Sequence, residues 1–437
     1  MKNRYSGPLL RRLLLRAVQI LLPLSVSLGC LATANDWPRW RGPSDSGSLE
    51  GDGYPVRWTQ ESVAWKVPLS GKGCSTPVVW DGRIFLTAPT NGLDTVLAFD
   101  REGRGLWQTS FGPENAGKHR NGSGSNASPA TDGSMLAVLF KSGTLAALEP
   151  DGRVRWQTDL VKRYGEVELF WDQGTSPVLT KDAVIVARMH GGDSWLAAFD
   201  KATGDLQWKV ARNYDTPVEG NNAYTTPLVA DQDGKETVLV WGAEHVTAHS
   251  TEDGAVRWSC GAFNPGRQSF WPAVASPVLV GEVLVVPTGR NDRNQPRLHG
   301  IRVGGRGDVT ETHRLWLSEE TGTFVPTPAA YRGKVYLLRD RGQVDCVEPA
   351  SGRVLWQGEL PRHRSSYYAS PTIAGGLLYA VREDGVVFVA RVEDGFELLA
   401  ENDLGERAIA SPVPLDGRLL LRGEEHLFCI AGPAGGS

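Results

Sequence analysis

Short segments of alternating apolar and polar residues, separated by turns containing Gly or Asp, recur along most of the chain. Examples are RIFLT (83–87), AVIVA (183–187), KVYLL (334–338) and LLYAV (377–381). A period of two, with β-branched and aromatic residues between such turns, is typical of β-strands joined by hairpins. The pattern therefore predicts an all-β protein made of short strands.

A second pattern sets the period of the repeat. Ser or Thr directly precedes Pro at the start of eight apolar segments, with the prolines at positions 77, 129, 177, 227, 277, 328, 371 and 412. The steps between them run from 41 to 52 residues. This spacing fits the four-stranded blade of a β-propeller and is too long for ankyrin or tetratricopeptide units.

Each repeat also contains a small residue, a Gly-bearing turn and then a tryptophan. The small residues are Ala98, Ala147, Ala198, Ala248, Gly300, Cys346, Ala390 and Cys429. The tryptophans are Trp65, Trp107, Trp156, Trp208, Trp258, Trp316 and Trp356, and Leu399 lies near the same position of one further repeat. We predict that each indole packs between neighbouring blades and that the small residue makes room for it.

The order of these elements predicts how the ring closes. Trp65 comes before the first Ser/Thr-Pro segment, and no tryptophan follows the last one. VAWKV (63–67) is therefore expected to complete the sheet that residues 411–431 begin, which leaves no free edge in the ring. We predict an eight-bladed β-propeller of four-stranded antiparallel blades over residues 63–432, with a tail at 433–437. Residues 35–62 are expected to form a strap on its outer flank through Trp37 and Trp40.

The first residues are typical of an export signal. Residues 1–16 contain five cations and no acid, and the apolar run AVQILLPLSVSL (17–28) is too short to span a bilayer. We predict a signal peptide over 1–34 and a periplasmic or secreted protein without a transmembrane segment. One alternative is an outer-membrane lipoprotein with a lipid anchor at Cys30, and another is a twin-arginine signal at Arg11-Arg12.

Charge and cysteine content exclude two classes of protein. The net charge is −4, and loss of residues 1–34 removes cations but no acids, so the mature chain is a poor nucleic-acid binder. Four cysteines remain, at positions 74, 260, 346 and 429, and none forms a CxxC pair. The sequence therefore predicts no metal cluster and leaves disulfide pairing open. We expect a monomer.

At this point the repeat resembles a known family. LAAFDKATGDLQW (196–208), with its Ser/Thr-Pro strand, resembles the pyrroloquinoline quinone (PQQ)-like repeat, and the resemblance covers about residues 63–432. This repeat builds both quinoprotein alcohol dehydrogenases and the non-catalytic outer-membrane assembly scaffolds of the BamB family. DWPRWRGPSDSG (36–47) also resembles the N-terminal leader of exported PQQ-like propellers. The fold implied is specific, whereas the function is not.

Several features of the dehydrogenases are missing from the sequence. It has no adjacent Cys-Cys pair and no CxxCH haem motif, and no calcium ligand can be carried over residue by residue. We therefore predict an exported non-catalytic propeller without a cofactor, which binds a protein, peptide or glycan partner at the cell envelope. The alternative is an oxidoreductase with PQQ and calcium. A third interpretation is a sugar-binding accessory protein.

The candidate binding residues lie where the repeat varies. In a four-stranded meander, the second-to-third loops and the connections between blades share one face, and here both are variable. Arginines follow the second strand in several repeats, and we place them at the rim of the channel, unless each simply pairs with a nearby acid such as Asp340, Glu383 or Glu424. The candidates are Arg188, Arg290, Arg339, Arg382, Arg422, His119, Asn126, Asn222 and Trp271. His190 with Asp193, and Glu244 with His245, lack a diagnostic metal-ligand spacing.

Overall fold

A computed structural model describes residues 36–432 and shows eight antiparallel sheets of four main strands each. The predicted signal peptide, Cys30 and the 433–437 tail lie outside these residues. Blades 1 to 7 follow the chain, each from its inner to its outer strand. Their strands are Val78–Trp80, Arg83–Thr90, Leu93–Phe99 and Gly105–Pro113; Ala130–Thr131, Leu136–Leu139, Thr144–Leu148 and Val154–Asp159; Val178–Leu179, Ala183–Arg188, Trp195–Asp200 and Leu206–Ala211; Leu228–Gln232, Lys235–Gly242, His245–Ser250 and Val256–Cys260; Val278–Val280, Val283–Pro287, Leu298–Arg302 and Arg314–Ser318; Ala329–Tyr331, Lys334–Leu338, Gln343–Val347 and Val354–Glu359; and Thr372–Ala374, Leu377–Val381, Val386–Arg391 and Glu397–Asp403.

Blade 8 joins the two ends of the chain. Val413–Leu415, Arg418–Arg422 and His426–Ile430 supply its first three strands, and Val63–Pro68 supplies the outer one. Trp65 lies opposite Cys429 in the register of this pair. The predicted all-β, eight-bladed fold is confirmed, and the closure matches the expected one.

The remaining elements are short. Gly307–Asp308 runs parallel to the outer strand of blade 4, and Ser48–Leu49 runs parallel to the inner strand of blade 7. Helices are few among the described residues. They are Leu160–Tyr164, Thr310–His313, and the 3₁₀ turns Gln60–Ser62 and Asn291–Arg293. None of the helices in residues 36–432 has the length and apolar content needed to cross a bilayer.

The Ser/Thr-Pro positions form a closed ring of hydrogen bonds at the centre of the propeller. In every blade the residue before Pro donates its backbone N–H to the hydroxyl oxygen of the equivalent residue in the next blade, over 2.9 to 3.3 Å. The ring runs through Thr76, Ser128, Ser176, Thr226, Ser276, Thr327, Ser370 and Ser411, and returns to Thr76. All eight side chains are buried, so each hydroxyl pairs a backbone donor that would otherwise be buried without a partner.

The tryptophans join neighbouring blades at the outside of the ring. Five of the seven donate their Nε1–H to a carbonyl in a turn of the next blade. These bonds join Trp65 to Arg101, Trp107 to Pro150, Trp156 to Lys201, Trp208 to Thr251 and Trp316 to Pro349. A Cβ at Gly254, where φ is +73°, would lie 2.5 Å from Cε3 of Trp208. Only glycine therefore suits both the backbone and the ring at this turn.

Blade 7 differs from the predicted pairing by one residue. In blade 3, Ala198 lies opposite Trp208 just before a bulge, but the same position in blade 7 pairs Val389 with Ala400. The small position of blade 7 is therefore Val389 rather than the expected Ala390, and its partner is Ala400, next to Leu399. The segment from the small position to its partner is one residue longer here than in blade 3. Trp58, from the N-terminal segment, packs against the core that contains Val389 and Ala400.

The N-terminal segment 36–58, here called the leader, starts inside the ring against the inner strands and ends at the outer strand of blade 7, where the Trp58 N–H donates to Asn402 at 3.0 Å. Trp37 is fully buried and exchanges both backbone hydrogen bonds with Val79 of the inner strand of blade 1. Further along, Ser48 and Leu49 pair with the inner strand of blade 7. The prediction that Trp37 and Trp40 strap the outer flank is wrong, because the leader instead pairs with backbone groups that face the central channel.

Two glycines and a buried arginine shape the leader inside the channel. Gly42 has φ +80° and a Cβ there would meet the Trp37 ring at 2.8 Å, while a Cβ at Gly47 would overlap the Arg41 guanidinium. Arg41 donates from Nη2 to the carbonyls of Pro371, at 2.8 Å, and Pro328, at 3.2 Å. The leader therefore links the inner strands of blades 6 and 7 by a side chain as well as by its backbone.

A buried carboxyl in blade 1 makes the stability depend on pH. Asp94 is fully buried, and burial, which outweighs the Ser142 hydroxyl beside it, raises the pKa of Asp94 to about 7. In the unfolded chain the pKa of an Asp is about 3.9. Between roughly pH 4 and pH 7 the folded protein therefore binds more protons than the unfolded chain. The stability that comes from the protonated carboxyl is lost as the pH rises through about 7. We expect Asp94→Asn to unfold at higher urea than wild type at pH 8 and at similar urea at pH 4. Urea titrations at both pH values test this, and a variant no more stable than wild type at pH 8 would contradict it.

Candidate functional site

A cavity of about 150 Å³ lies above the ring of hydroxyls, on the face that carries the connections between blades. We call it the vestibule and this face the loop face. Its walls come from one equivalent position in each blade, two residues before the Ser or Thr of the ring. These residues are Cys74, Asn126, Gly174, Tyr224, Val274, Val325, Tyr368 and Ile409.

Trp40 of the leader forms the floor of the vestibule. It lines this cavity together with hydroxyl groups of the ring, and it also lines a much smaller cavity with Arg39, Arg41 and Asp45 on the other side. The indole therefore separates two spaces in the channel. Since the leader fills the channel below it, the vestibule is a blind pocket that opens on the loop face.

Sequence reasoning found only Asn126 among the wall residues. The sequence signal for the other wall residues is an alternation in burial just before the Ser or Thr of the ring, which repeats in all eight blades. The wall residue in each blade is half-buried, whereas the residue between it and the ring is buried, as Ala275 is between Val274 and Ser276. Counting two positions back from each Ser/Thr-Pro would have located the whole wall.

The vestibule is electrically neutral. Its lining, among the described residues, contains neither an acidic nor a basic side chain. Burial raises the pKa of the Cys74 thiol and of the Tyr224 hydroxyl, so both stay protonated near neutral pH. A protonated thiol is a poor nucleophile. These residues offer no general base, activated nucleophile or charged group for chemistry.

This lining does not fit PQQ with calcium. A calcium ion takes about six to eight oxygen ligands, usually including carboxylates, and the vestibule walls have none. PQQ is an anionic quinone, and no arginine or lysine of the lining is present to balance its charge. We therefore derive no reaction through this group.

Two of the predicted rim arginines, Arg188 and Arg422, are buried and donate to backbone carbonyls of the scaffold. Arg188 donates to the carbonyls of Leu160, at 3.1 Å, and Gly165, at 3.0 Å, and its guanidinium lies 5.5 Å from the Trp195 ring centroid. Arg422 donates to the carbonyl of Ser75 at 2.8 Å, and burial lowers the pKa of Arg422 to about 10. Both guanidinium groups therefore bind backbone carbonyls of the propeller itself.

The other three arginines pair with local acids or amides. Arg290 contacts Asp292 at 2.7 Å, and Arg382 contacts Asp384 at 2.8 Å. Arg339 donates to Oδ1 of Asn291 at 2.9 Å. None of these three lines the vestibule. Local pairing is the arrangement that the sequence left open as the alternative to a binding rim.

The remaining candidates are spread over the loop face. Asn126 lines the vestibule and accepts a hydrogen bond from the Ser123 backbone at 2.9 Å. His119 lies beside Trp171, with ring centroids 4.3 Å apart. Asn222 is buried and its backbone carbonyl accepts from the N–H of Ala273. Trp271 is buried, donates to the carbonyl of Thr288 and lies outside the vestibule. The structure does not bring these four residues together.

Acids near the predicted rim hold the connections between blades in place. Asp340 accepts from the backbone N–H groups of Phe324 and Val325, both at 3.0 Å. Glu383 accepts from the Ser366 N–H at 3.2 Å and also pairs with Arg407 at 2.8 Å. Each acid therefore pairs with backbone N–H groups in a connection between two blades.

The paired histidines and acids weighed as metal ligands are also structural. Nδ1 of His190 accepts from the N–H groups of Glu168 and Gly192, both at 3.1 Å. His245 stacks on Tyr214 with ring centroids 3.8 Å apart. The side chains of Glu406, Glu425 and His426 lie close enough together to hold an ion. However, Glu406 already accepts hydrogen bonds from the backbone N–H groups of Glu425 and His426.

Exposed apolar side chains occur in two pairs on the loop face, Phe170 with Trp171 and Val218 with Phe270. Phe170, Trp171, Val218 and Phe270 are 44 to 62% exposed and come from three consecutive connections between blades 2 and 5. The N–H of Phe270 donates to the carbonyl of Val218 at 2.8 Å, and the N–H of Trp171 donates to the Tyr224 hydroxyl at 3.0 Å. We call these four residues the apolar patch. Such a patch on a rigid scaffold is typical of a protein-binding surface.

The fold and the closed ring define an eight-bladed propeller of the PQQ-like class. Within this class, the family model described as outer membrane protein assembly factor BamB matches residues 56–192, 93–357 and 302–399. The chain belongs to this family.

Individual relatives agree with this assignment. Outer membrane protein assembly factor BamB of Yersinia pestis is 24% identical over 327 residues, which are 72% of this chain and 75% of that protein. The crystal structure of BamB from Moraxella catarrhalis has a TM-score of 0.60 at 18% identity and covers 84% of this chain and 99% of its own. A europium-containing methanol dehydrogenase has a TM-score of 0.66 at 12% identity, with 91% of this chain and 98% of its own covered. At these identities the two structures show a shared fold only.

Proposed function

We propose that this protein is an exported, non-catalytic scaffold of the cell envelope that holds a protein partner on its loop face. The apolar patch of Phe170, Trp171, Val218 and Phe270 is the observation that supports it most directly. The neutral vestibule beside it offers no catalytic group. The relatives are named as outer membrane protein assembly factors, and we propose the same role, at the outer membrane or in the periplasm, for this chain.

A protein partner suits the patch better than a glycan or a free cofactor. Aromatic side chains that are half-exposed gain most by losing water against another apolar surface, and such residues dominate the energy of protein interfaces. The patch also lies on connections fixed by hydrogen bonds, so little conformational freedom is lost on binding.

In-cell photo-crosslinking tests the location of the partner. A photoreactive phenylalanine analogue at Phe270 is expected to capture an envelope protein, identified by mass spectrometry. Leu317, on the outer strand of blade 5, is the matched control because both side chains are 48% exposed. Equal crosslinking from both positions, or none from Phe270, would contradict the proposal.

The double variant Phe170→Ala/Trp171→Ala is expected to lose at least about tenfold in affinity for the captured partner, since two exposed aromatic anchors are removed. Its thermal unfolding should match that of wild type because neither ring is buried. Leu315→Ala/Leu317→Ala, on the outer strand of blade 5, should bind as wild type. Unchanged affinity in the patch variant, measured by titration calorimetry, would show that the partner binds elsewhere.

A further inference from the structure

We propose that the vestibule receives one uncharged aromatic side chain of the protein partner, stacked on Trp40. This inference rests on the proposed scaffold function and identifies the part of the partner that enters the ring. It makes the leader part of the binding site, because Trp40 belongs to the leader.

Size and charge select this occupant. A cavity of about 150 Å³ is large enough for a single benzene-sized ring. The lining is neutral and includes Tyr224, Tyr368 and three aliphatic positions besides Trp40, so a charged group would be desolvated without a partner. Aromatic rings gain additional energy from offset or edge contacts with other rings.

The position of the vestibule favours a side chain over a free small molecule. Tyr224 forms part of its wall and accepts a hydrogen bond at 3.0 Å from the backbone of Trp171, which belongs to the apolar patch. A protein that covers the patch therefore lies directly beside the opening. Such a protein also contacts the apolar patch, whereas a free molecule of one ring would contact only the vestibule.

Gly174 provides a way to fill the vestibule without disturbing the ring. Its backbone φ is not positive, and a Cβ there would have the Tyr224 carbonyl oxygen, 3.8 Å away, as its one neighbour within 4 Å. Gly174→Phe is therefore expected to fold and to place its own ring in the vestibule. Gly112→Phe is the matched control, since a Cβ at Gly112, on the outer strand of blade 1, meets nothing within 4 Å.

The first test uses N-acetyl-4-fluoro-L-phenylalaninamide as the probe, followed by ¹⁹F NMR with the purified mature protein. Saturable binding is expected for wild type and Gly112→Phe, with at least about a tenfold loss for Gly174→Phe. A fluorinated N-acetyl-leucinamide should bind more weakly. Equal binding by Gly174→Phe, equal binding of the leucine probe, or no saturation with wild type would each overturn the inference. Val274→Phe, on another wall, replaces Gly174→Phe if that variant does not fold.

The second test separates this inference from the scaffold function. The partner captured through Phe270 should bind Gly174→Phe at least about tenfold more weakly than Gly112→Phe. Full affinity in Gly174→Phe would overturn the aromatic insertion and leave the scaffold function intact. Competition of the NMR probe by PQQ with calcium, together with an absence of crosslinks at Phe270, would overturn both proposals.

Discussion

Replacing Trp37 with alanine is expected to lower the free energy of unfolding by about 3–5 kcal/mol, the usual cost of truncating a fully buried tryptophan. The ring is 0% exposed and packs in the cluster that contains Val79, Ile84 and Val413, which belong to blades 1 and 8. Its loss would leave a cavity where the leader meets the site of ring closure. Urea unfolding of the purified protein, followed by tryptophan fluorescence and circular dichroism, measures the change.

Trp171→Ala is the control for this result, because the same substitution at a 44% exposed side chain should change stability by no more than about 0.5 kcal/mol. If Trp37→Ala behaves like Trp171→Ala, the leader does not sit in the channel.

Trp37→Ala is also expected to weaken binding of the aromatic NMR probe, since the Trp37 Nε1 donates to the carbonyl of Trp40 at 3.3 Å.

Trp208→Ala should also cost about 3–5 kcal/mol of stability, for a different reason. This indole joins blade 3 to blade 4. It is 7% exposed, its Nε1–H donates to the carbonyl of Thr251 at 2.9 Å, and its ring lies against Gly254. Truncation removes the packing and leaves the carbonyl without its donor. Differential scanning calorimetry, together with urea unfolding, would measure the effect.

Leu206→Ala is the control on the same strand, where the side chain is 37% exposed. It should cost less than about 1 kcal/mol. A loss of stability as small for Trp208→Ala as for Leu206→Ala would mean that the blades are held together by their inner strands alone.

The fold could be predicted from the sequence because two markers repeat in every blade. The Ser/Thr-Pro pair sets the period, and the position of Trp65 before the first repeat indicates how the ring closes. The donor to each hydroxyl could not be predicted, because it lies in the preceding blade, 41 to 52 residues away, or 335 residues away where Thr76 accepts from Ser411. Blade 7 was misaligned by one residue because the segment from the small position to its partner is one residue longer there than in blade 3.

The candidate site was harder to predict because sequence spacing does not show which way a side chain points. Arg188 and Arg422 follow similar strands, yet both turn into the scaffold and hold carbonyl groups. The path of the leader was missed for a related reason. An apolar segment next to a ring can pack outside or inside, because the inner and the outer strands both have an edge with free backbone groups. Trp37 pairs with an inner strand, whereas Gly307–Asp308 pairs with an outer one.

The closure of blade 8 also constrains when the protein can become complete. Ribosomes make the N-terminus first, and residues 63–68 cannot pair until residues 426–430 exist. At about 5 to 20 residues per second, that wait is roughly 20 to 70 s. Throughout it, an unpaired edge strand remains a target for holding chaperones and proteases. A single late event, the arrival of the last hairpin, therefore separates a vulnerable nascent chain from a sealed ring.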